Sequence, residues 1–327
     1  MNAGEAVRYS IKRVKNDGIF IAVKLLIALR RALPRRIGLW LFESVGRTSY
    51  LFPNREREKT VRHLTEVFGS QWRHDEILSC ARGVFGNLGR SAFDALFFSE
   101  LDKEKWKHYV RCDDLTEFRK AYARGRGVMV VTAHCGCFEM LLHFFAAQGF
   151  PCFAIGSKLY DKRLDDLVAK LRSGENILYL HRSQNPRAML RLMKAGRVMG
   201  VLIDQDTHID GVFAHFLGRL AYTPCGAVKL AQRHGIPVFA VTTACESDRT
   251  HRIMISREIE LHETGRELED CVRGIERIND HIGATIKRYP SQWVWMHDRW
   301  NKRPDDERYR GIPNIEQYEP AQRKEIA

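Results

Sequence analysis

The sequence predicts an α/β fold in which helices cover a largely parallel central sheet, with an N-terminal helical region that associates with a membrane. Three observations predict it. Short apolar segments typical of buried strands alternate with segments of helical periodicity. The chain has 327 residues, of which 44% are hydrophobic, and this is enough for a sizeable core. The formal net charge is +13, and much of it surrounds an apolar stretch near the N-terminus.

Six segments rich in Val, Ile, Leu and Phe predict strands at residues 128–133, 151–156, 177–180, 198–203, 236–244 and 252–260. Helices are predicted between them at 139–148, 161–172, 186–195 and 223–234. The last of these has Thr223 as N-cap, Pro224 at its first position and Gly235 just past its end. A later helix at 266–288 is predicted to pack in the core through one apolar stripe: Leu268, Cys271, Val272, Ile275, Ile278, Ile282 and Ile286.

Three regions are expected along the chain. Residues 1–53 form the basic and apolar helical region, and residues 54–302 form one α/β domain that begins with a charge-rich helical part at 54–125. Residues 303–327 are a polar tail, either partly disordered or a strap on the surface.

The N-terminal region combines charge with apolar surface. Residues 1–60 hold 13 Lys and Arg against 5 Asp and Glu. Residues 18–29 are apolar except for Lys24, which is shorter than the roughly 20 residues that span a bilayer. We therefore expect this stretch, joined by the apolar residues 39–42, to lie in a membrane interface. An ordinary core helix is the alternative. The flanking basic residues are expected to contact lipid phosphates: Lys12, Arg13, Lys15, Arg30, Arg31, Arg35 and Arg36.

Neither a metal nor an organic cofactor is expected. The eight cysteines lack the paired spacing of a secreted disulfide framework and are interpreted as reduced thiols. His134, Cys135 and Cys137 are close in sequence, but no second Cys or His pair completes a tetrahedral zinc set. The sequence also lacks the glycine-rich phosphate loop ending in Lys-Ser/Thr and the Gly-x-Ser-x-Gly elbow of serine hydrolases.

The segment VMVVTAHCGCFE at 128–139 is a buried-type strand that ends near a histidine, with a carboxylate five residues later. A spacing of five does not place two side chains on one helix face, so His134 belongs at the strand end and Glu139 in the next helix. We expect Glu139 to fold back onto the imidazole and raise its basicity, as a general base requires. Gly136 permits a tight turn or the close approach of a ligand. A purely structural histidine is the alternative.

Three ordered blocks of sequence carry a resemblance to a known family. The first is this His-x4-Glu stretch. The second is VLIDQD at 201–206 with GVFAHFLG at 211–218 and YTP at 222–224, and the third is YPSQWVWMHDRW at 289–300. Together they resemble the late lipid A acyltransferases, the lauroyl and myristoyl transferases of the lysophospholipid acyltransferase superfamily. The resemblance covers about residues 15–302.

The resemblance implies an O-acyltransferase that moves a fatty acyl group from acyl carrier protein or coenzyme A to a hydroxyl of a phosphorylated glycolipid, a lipid A precursor. It implies a location at the cytoplasmic face of the inner membrane. His134, oriented by Glu139, would remove the hydroxyl proton without a covalent enzyme intermediate. Backbone N–H groups at the start of the Glu139 helix, or a nearby arginine, would stabilise the oxyanion. Arg172 stands where the family carries a functional arginine, which implies that its guanidinium binds a substrate phosphate. A solvated helix end is the alternative.

Further candidate ligands of the substrate lie outside the first block. Asp204, Gln205 and Asp206 follow a predicted strand, where they would bind sugar hydroxyls or a neighbouring arginine; an N-cap and turn role is the alternative. Arg299 is a candidate for contact with a phosphate or with the acyl carrier. Three aromatic residues of the last block either line an acyl groove or pack in the core: Trp293, Trp295 and Trp300.

Two other functions stay open at this point. One is a basic, non-enzymatic binding protein, for example for nucleic acid, although no nucleic-acid-binding module is present in the sequence and no nucleic-acid partner is expected. The other is a related acyltransferase whose acceptor is a lysophospholipid or another glycolipid, such as a mannosylated inositol lipid. The motifs would look alike, because the chemistry at the hydroxyl is the same.

Overall fold

A seven-stranded sheet forms the centre of the fold in residues 3–181 and 186–318, the part of the chain that this computed structural model describes. Its order is β1-β9-β8-β2-β5-β3-β4, and all its pairings are parallel except that of β8 with β9. The largely parallel sheet is confirmed. The strands, including the separate antiparallel hairpin β6–β7, are β1 Val110–Cys112, β2 Val128–Thr132, β3 Cys152–Gly156, β4 Ile177–His181, β5 Val198–Leu202, β6 Gly211–Phe216, β7 Arg219–Pro224, β8 Val238–Cys245 and β9 His251–Ile255.

Helices cover both faces of this sheet. The five residues of β2 are all buried, with Val128 and Val130 in one core cluster and Met129 and Val131 in another. Because successive strand residues point to opposite faces, a continuous apolar run is the pattern of a strand covered on both sides. The helices are α1 Ala3–Ala32, α2 Arg35–Ser49, α3 Arg55–Phe68, α4 His74–Phe98, α5 Thr116–Tyr122, α6 Met140–Ala147, α7 Lys162–Arg172, α8 Pro186–Lys194, α9 Gly226–His234 and α10 Glu267–Arg288.

The six predicted strands are all present, and so are the five predicted helices, with two clear boundary errors. The strand predicted at 252–260 ends at Ile255. Thr223 and Pro224 end strand β7 and do not cap a helix; α9 begins at Gly226. Thr223 pairs with Val212 across the hairpin and is fully buried, so strand pairing overrides the local capping signal. Gly235 ends α9 with a φ of 58°, as predicted. The apolar stripe of α10 is buried as predicted, except that Leu268 is exposed.

The hairpin β6–β7 and the short strand β1 were not predicted. Leu217 and Gly218 form a two-residue turn with φ values of 55° and 81°. Positive φ at both central positions matches the twist of a hairpin, and the signal in the sequence was the glycine between two segments of strand-forming residues. The hairpin packs on α10, where the Asn279 amide donates to the His215 carbonyl. Residues 303–318 follow as a strap, with Ile315 buried and Asn314 paired with Phe213. Residues 319–327 of the predicted tail lie outside the described part.

The first two helices are fixed to α4 by buried and half-buried charge. Arg35 donates to both carboxylate oxygens of Asp94 at 2.8 Å, and His251 Nε2 lies 2.7 Å from the same carboxylate. Arg30 and Arg31 pair with Glu100. Arg30 and Arg35 therefore hold α1 and α2 on the domain, and Arg31 forms a more exposed ion pair. The predicted contacts with lipid phosphates stay a prediction. None of the helices in the described residues has the length and apolar character needed to span a membrane.

The outward face of these two helices is apolar. Trp40 is 64% exposed while Leu39 and Phe42 pack against Phe93, so the apolar residues 39–42 divide between surface and core. Further exposed apolar side chains lie on α1, on α2 and just after α2: Ile19, Ile21, Leu25, Leu26, Leu29, Ile37, Val45, Leu51 and Phe52. The division of the chain at residues 53 and 302 stays a prediction.

We expect Asp94→Ala to lower the free energy of unfolding by about 3–5 kcal/mol, because it leaves the Arg35 guanidinium without its buried partner. Chemical denaturation would measure the change. Asp75→Ala, which removes an exposed carboxylate paired with Arg73, is the control and should change stability by less than about 1 kcal/mol. Equal effects of the two substitutions would contradict the role of the Asp94 network.

Candidate active site

The turn after β2 presents His134 at the carboxyl edge of the sheet. Gly136 has a φ of 56°, and a Cβ there would lie 2.4 Å from the Thr243 carbonyl oxygen, so only glycine fits. Gly136 therefore serves a tight turn packed against the backbone of a neighbouring strand, which is the first of its two predicted roles. The Gly136 N–H donates to the Gln292 carbonyl at 2.7 Å, and Val294 N–H donates to the His134 carbonyl at 3.1 Å. Residues 289–300, which we call the C-terminal block, therefore hold this turn.

Asp204 is the partner of His134. Its Oδ2 accepts from the His134 backbone N–H at 2.8 Å, and its Oδ1 lies 2.8 Å from His134 Nδ1. Trp293 Nε1–H adds a third hydrogen bond to Oδ2 at 2.8 Å. The predicted pairing of His134 with Glu139 is therefore wrong. The reason is sheet register: Thr132 pairs with Leu202 on adjacent parallel strands, so the residues two positions beyond each strand end meet.

The dyad has the electrostatics of a general base with an orienting carboxylate. Burial alone would lower the pKa of His134, but the charge and hydrogen bond of Asp204 raise it above its ordinary value. Burial would raise the pKa of Asp204, and the His134 charge and hydrogen bonds hold it well below its usual range. The carboxylate thus stays ionised, keeps the proton of neutral His134 on Nδ1, and leaves the Nε2 lone pair free to accept a proton.

Glu139 pairs with Arg172, the residue that was predicted to bind a substrate phosphate. Arg172 Nε donates to Glu139 Oε2 at 2.9 Å, Nη2 donates to Oε1, and Nη1 donates to the Tyr179 hydroxyl at 3.2 Å. Both side chains are about one-third exposed and line the same cavity as His134. The guanidinium fork therefore binds a protein carboxylate in this structure, and its contact with a substrate phosphate stays a prediction.

Gln205 is brought to the dyad together with a histidine that the sequence analysis did not select. The Gln205 side-chain nitrogen lies 3.2 Å from His134 Nε2 and 2.8 Å from His297 Nε2. The rings of the two histidines are 5.3 Å apart. Burial, followed by the charge of His134, lowers the pKa of His297 and keeps it neutral near pH 7. His297 could have been predicted from its position in the block at 289–300, because that block carries part of the family resemblance. The sequence analysis selected the tryptophans and Arg299 of this block instead.

Arg299 and Asp206 do not face the site. Arg299 is fully buried, donates to the Tyr222 carbonyl and to Thr223 Oγ1, and lies over the Phe216 ring. Burial lowers the pKa of Arg299 to about 10. It cannot reach a phosphate or a carrier, so that prediction is wrong. Asp206 pairs with Lys302 at 2.9 Å and also accepts from its backbone N–H, which closes the C-terminal block onto the domain. This structural contact, rather than a sugar hydroxyl, occupies Asp206.

The tryptophans of the last block belong to the core. Trp293, Trp295 and Trp300 are at most 5% exposed, and the first two form a T-shaped pair with ring centroids 4.8 Å apart. Core packing, one of the two predicted alternatives, is therefore confirmed, and Trp293 has the further task of fixing Asp204. No group of three or more metal-ligating side chains is present among the described residues.

A cavity of about 540 Å³ opens beside His134 and Gln205. Its volume is in the range of sites that hold a small molecule or a lipid chain. The walls are mostly apolar and are built from α6, β3, β5 and α8, with polar groups near His134 and Arg172. Apolar lining residues include Phe138, Leu142, Ile155, Met189, Met199 and Val201. The site therefore combines one base with a largely apolar pocket.

The first N–H groups of α6 are not available to hold an oxyanion. Met140 N–H donates to the Cys137 carbonyl at 3.1 Å, and Leu141 N–H donates to the Phe138 carbonyl at 3.0 Å. Since these donors are used within the turn, the predicted role of the helix start is not supported for these two groups.

We expect Asp204→Asn to lower the pKa of His134, because the substitution removes the charge that raises this pKa and leaves the opposing effect of burial. Titration of the histidine ring by NMR would measure it, with the wild-type value above about 6.5. Asp206→Asn, which changes a carboxylate of the same loop that pairs with Lys302, is the control and should leave the His134 titration in place. An unchanged His134 pKa in Asp204→Asn would contradict the dyad.

Comparison with known proteins agrees with this site. The family described as bacterial lipid A biosynthesis acyltransferase matches residues 9–302. The chain is 25% identical over 278 residues to the lipid A biosynthesis palmitoleoyltransferase of Escherichia coli, covering 83% of this chain and 87% of the relative. It is 22% identical over 286 residues to the phosphatidylinositol mannoside acyltransferase of Mycolicibacterium smegmatis, covering 86% of this chain and 90% of the relative. The family resemblance in the motifs is confirmed, and the chain belongs to the bacterial lipid A biosynthesis acyltransferase family.

Proposed function

We propose that this protein transfers a fatty acyl group from an acyl thioester to a hydroxyl of a lipid A precursor. The observation that carries the proposal is the His134–Asp204 dyad at the mouth of a largely apolar cavity. Acyl carrier protein or coenzyme A carries the acyl group. The dyad supplies a proton acceptor for the hydroxyl, and the cavity supplies a water-poor space for the acyl chain.

The reaction follows from the dyad. His134 Nε2 accepts the proton of the acceptor hydroxyl as its oxygen attacks the thioester carbonyl carbon. The carbonyl π electrons move to oxygen, and the tetrahedral intermediate collapses with cleavage of the C–S bond. Protonated His134, stabilised by Asp204, then returns the proton to the thiolate. The enzyme forms no covalent intermediate.

Glu139 and Arg172 form the polar side of the cavity in this proposal. Their ion pair holds Glu139 near His134, where its charge also raises the pKa of the imidazole. Arg172 remains the proposed ligand of a substrate phosphate, with Tyr179 beside its Nη1 edge and Glu139 holding the opposite edge. Binding of a phosphate here would require the guanidinium to share its donors between two anions.

A second acceptor has specific support. The mycobacterial relative that aligns along most of the chain is named for a phosphatidylinositol mannoside, a glycolipid without the glucosamine disaccharide of lipid A. A lysophospholipid or another glycolipid is therefore the alternative acceptor. The same dyad and cavity would serve both, since both reactions pass an acyl group to a hydroxyl.

We expect cells that carry the gene to contain lipid A with one more acyl chain than cells that lack it, as measured by mass spectrometry of the extracted lipid. His134→Ala should abolish this product, because loss of a general base costs about 100- to 10,000-fold in rate. His108→Ala, an exposed histidine outside the site, is the control. If the extra chain appears on a phospholipid or an inositol glycolipid instead, the alternative acceptor is correct. A His134→Ala protein with more than about a tenth of wild-type turnover would exclude the general-base role.

We propose a peripheral or monotopic location at the cytoplasmic face of the inner membrane. The exposed apolar face of α1 and α2 supports this. Arg163, at the start of α7, pairs with Asp17 of α1 at 2.7 Å and lies over Phe20. The loop before α7 exposes Leu159 and Tyr160 and continues directly from Ser157, which lines the cavity. The apolar face and the cavity mouth are thus neighbours, so a lipid substrate would pass from the bilayer to the site over a short distance.

We expect the double substitution Leu25→Gln/Trp40→Gln to weaken sedimentation with phosphatidylglycerol–phosphatidylethanolamine vesicles by at least about tenfold. Each side chain is 64% exposed, and transferring an apolar side chain of this size from water contributes about 1.5–3 kcal/mol. Leu268→Gln, on an exposed position of α10, is the control. Vesicle binding of the double variant equal to that of wild type would place the membrane contact elsewhere.

A further inference from the structure

Gln205 and His297 form a polar pair beside the proton acceptor of the dyad. The Gln205 amide nitrogen lies 2.8 Å from His297 Nε2, and it lies 3.2 Å from Nε2 and 3.4 Å from Nδ1 of His134. Because it is nearly equidistant from both ring nitrogens of His134, it lies over the face of that ring, off the axis of the in-plane Nε2 lone pair. Gln205 follows Asp204 in the loop after β5, and His297 lies in the C-terminal block. Three segments that are far apart in sequence therefore meet at this nitrogen.

The short contact takes one donor of the amide and leaves the other. Asp204 holds the proton of neutral His134 on Nδ1, so His134 Nε2 carries a lone pair in the ring plane that is open to the acceptor hydroxyl. A side-chain amide nitrogen has two N–H groups, and one of them donates to His297 Nε2 at 2.8 Å. The second N–H of Gln205 therefore belongs to a nitrogen 3.2 Å from the proton acceptor of His134.

This arrangement places a donor where the reaction develops charge. The acceptor hydroxyl approaches the His134 Nε2 lone pair in the ring plane, next to the second N–H of Gln205. The attacked carbonyl carbon is one bond from the attacking oxygen, so the carbonyl oxygen develops negative charge within reach of this N–H. The N–H groups of Met140 and Leu141 are already used within the turn.

We propose, on the basis of the acyl transfer proposed above, that Gln205 is an oxyanion donor and that His297 is the residue that positions it. His297 holds one N–H of the amide and thereby aims the second N–H at the reaction point. In the step itself, the acceptor oxygen forms a bond to the carbonyl carbon and its proton moves to His134 Nε2. The carbonyl oxygen gains the π electron pair and accepts a hydrogen bond from Gln205. Collapse breaks the C–S bond, and the proton passes from His134 to sulfur.

The surroundings of His297 suit a positioning role. Its ring is half-buried, and the charged or titratable groups that influence it are His134, Asp204, Asp298 and Lys59. Lys59 of α3 pairs with Asp298 at 2.5 Å, and Asp298 adjoins His297 in the chain. This ion pair fixes the loop from outside, and Gln205 contacts the ring from inside. His297 therefore acts on the reaction through the amide.

The test measures kcat and KM for transfer from the lauroyl thioester of acyl carrier protein to a phosphorylated, acylated glucosamine disaccharide. Gln205→Met keeps the side-chain volume but removes both donors, so kcat should fall by about 100- to 1,000-fold with little change in KM. His297→Leu should lower kcat by about tenfold or more, which is the value of one hydrogen bond. His297→Gln keeps a polar acceptor near the Nε2 position and should retain kcat within about threefold. His108→Leu is the control.

A double substitution separates positioning from a direct role. Because His297 acts only through the amide, Gln205→Met/His297→Leu should be no slower than Gln205→Met alone. A double variant slower by the product of the two single effects would overturn the proposal, and so would a Gln205→Met enzyme with wild-type kcat. Should His297→Leu fail to fold in thermal unfolding, the comparison of Gln205→Met with His297→Gln still decides, since only the first is expected to lose kcat.

Failure of this inference is distinguishable from failure of the proposed function. A wild-type enzyme that transfers no acyl group to the disaccharide, to a lysophospholipid or to an inositol glycolipid would overturn the acyl transfer and this inference together. A wild-type enzyme that transfers, and a His134→Ala variant that does not, combined with unchanged kcat in Gln205→Met, would overturn the inference alone.

Discussion

The site depends on one buried carboxylate. Asp204 is fully buried and accepts three hydrogen bonds, two from His134 and one from Trp293. A carboxylate in an apolar interior is costly unless its oxygens are satisfied by donors and a partner charge. The three contacts meet that need and join the ends of β2 and β5 to the C-terminal block. The base, its orientation and the closure of the domain therefore rest on the same ion.

The C-terminal block serves this carboxylate in several ways. Trp293 binds it directly, Gln292 and Val294 hold the turn around His134, and His297 reaches the amide of Gln205. Arg299 and Lys302 fasten the block through contacts with the β6–β7 hairpin and with Asp206. The block thus fixes the groups next to His134, although its own residues are not among those that line the cavity. This arrangement explains why residues far from the strands in sequence belong to the candidate site.

The exposed apolar surface of α1 and α2 is connected to the cavity through α7 and the loop before it. Helices α1 and α2 are docked on α4 through Arg30, Arg31 and Arg35, which leaves their apolar side chains outward. Contacts of α1 with Arg163 bring this surface beside the loop that leads to the cavity. These helices are amphipathic: charged side chains bind one side to the domain, and apolar side chains are exposed on the other side. An enzyme that takes a lipid acceptor from a bilayer needs these two features close together.

The sequence by itself determined what depends on local pattern. The six predicted strands, the stripe of α10, the left-handed Gly235 and the positions of His134 and Asp204 at strand ends all follow from periodicity and backbone preference. Only the tertiary structure decided the partners. Glu139 was the nearest carboxylate in sequence, but parallel pairing of β2 with β5 places Asp204, 70 residues away, on the imidazole. In the same way Arg299 is buried by its contacts with Tyr222 and Thr223, and His297 reaches Gln205 across 92 residues. Strand order and register are properties of the whole sheet, and no short-range spacing encodes them.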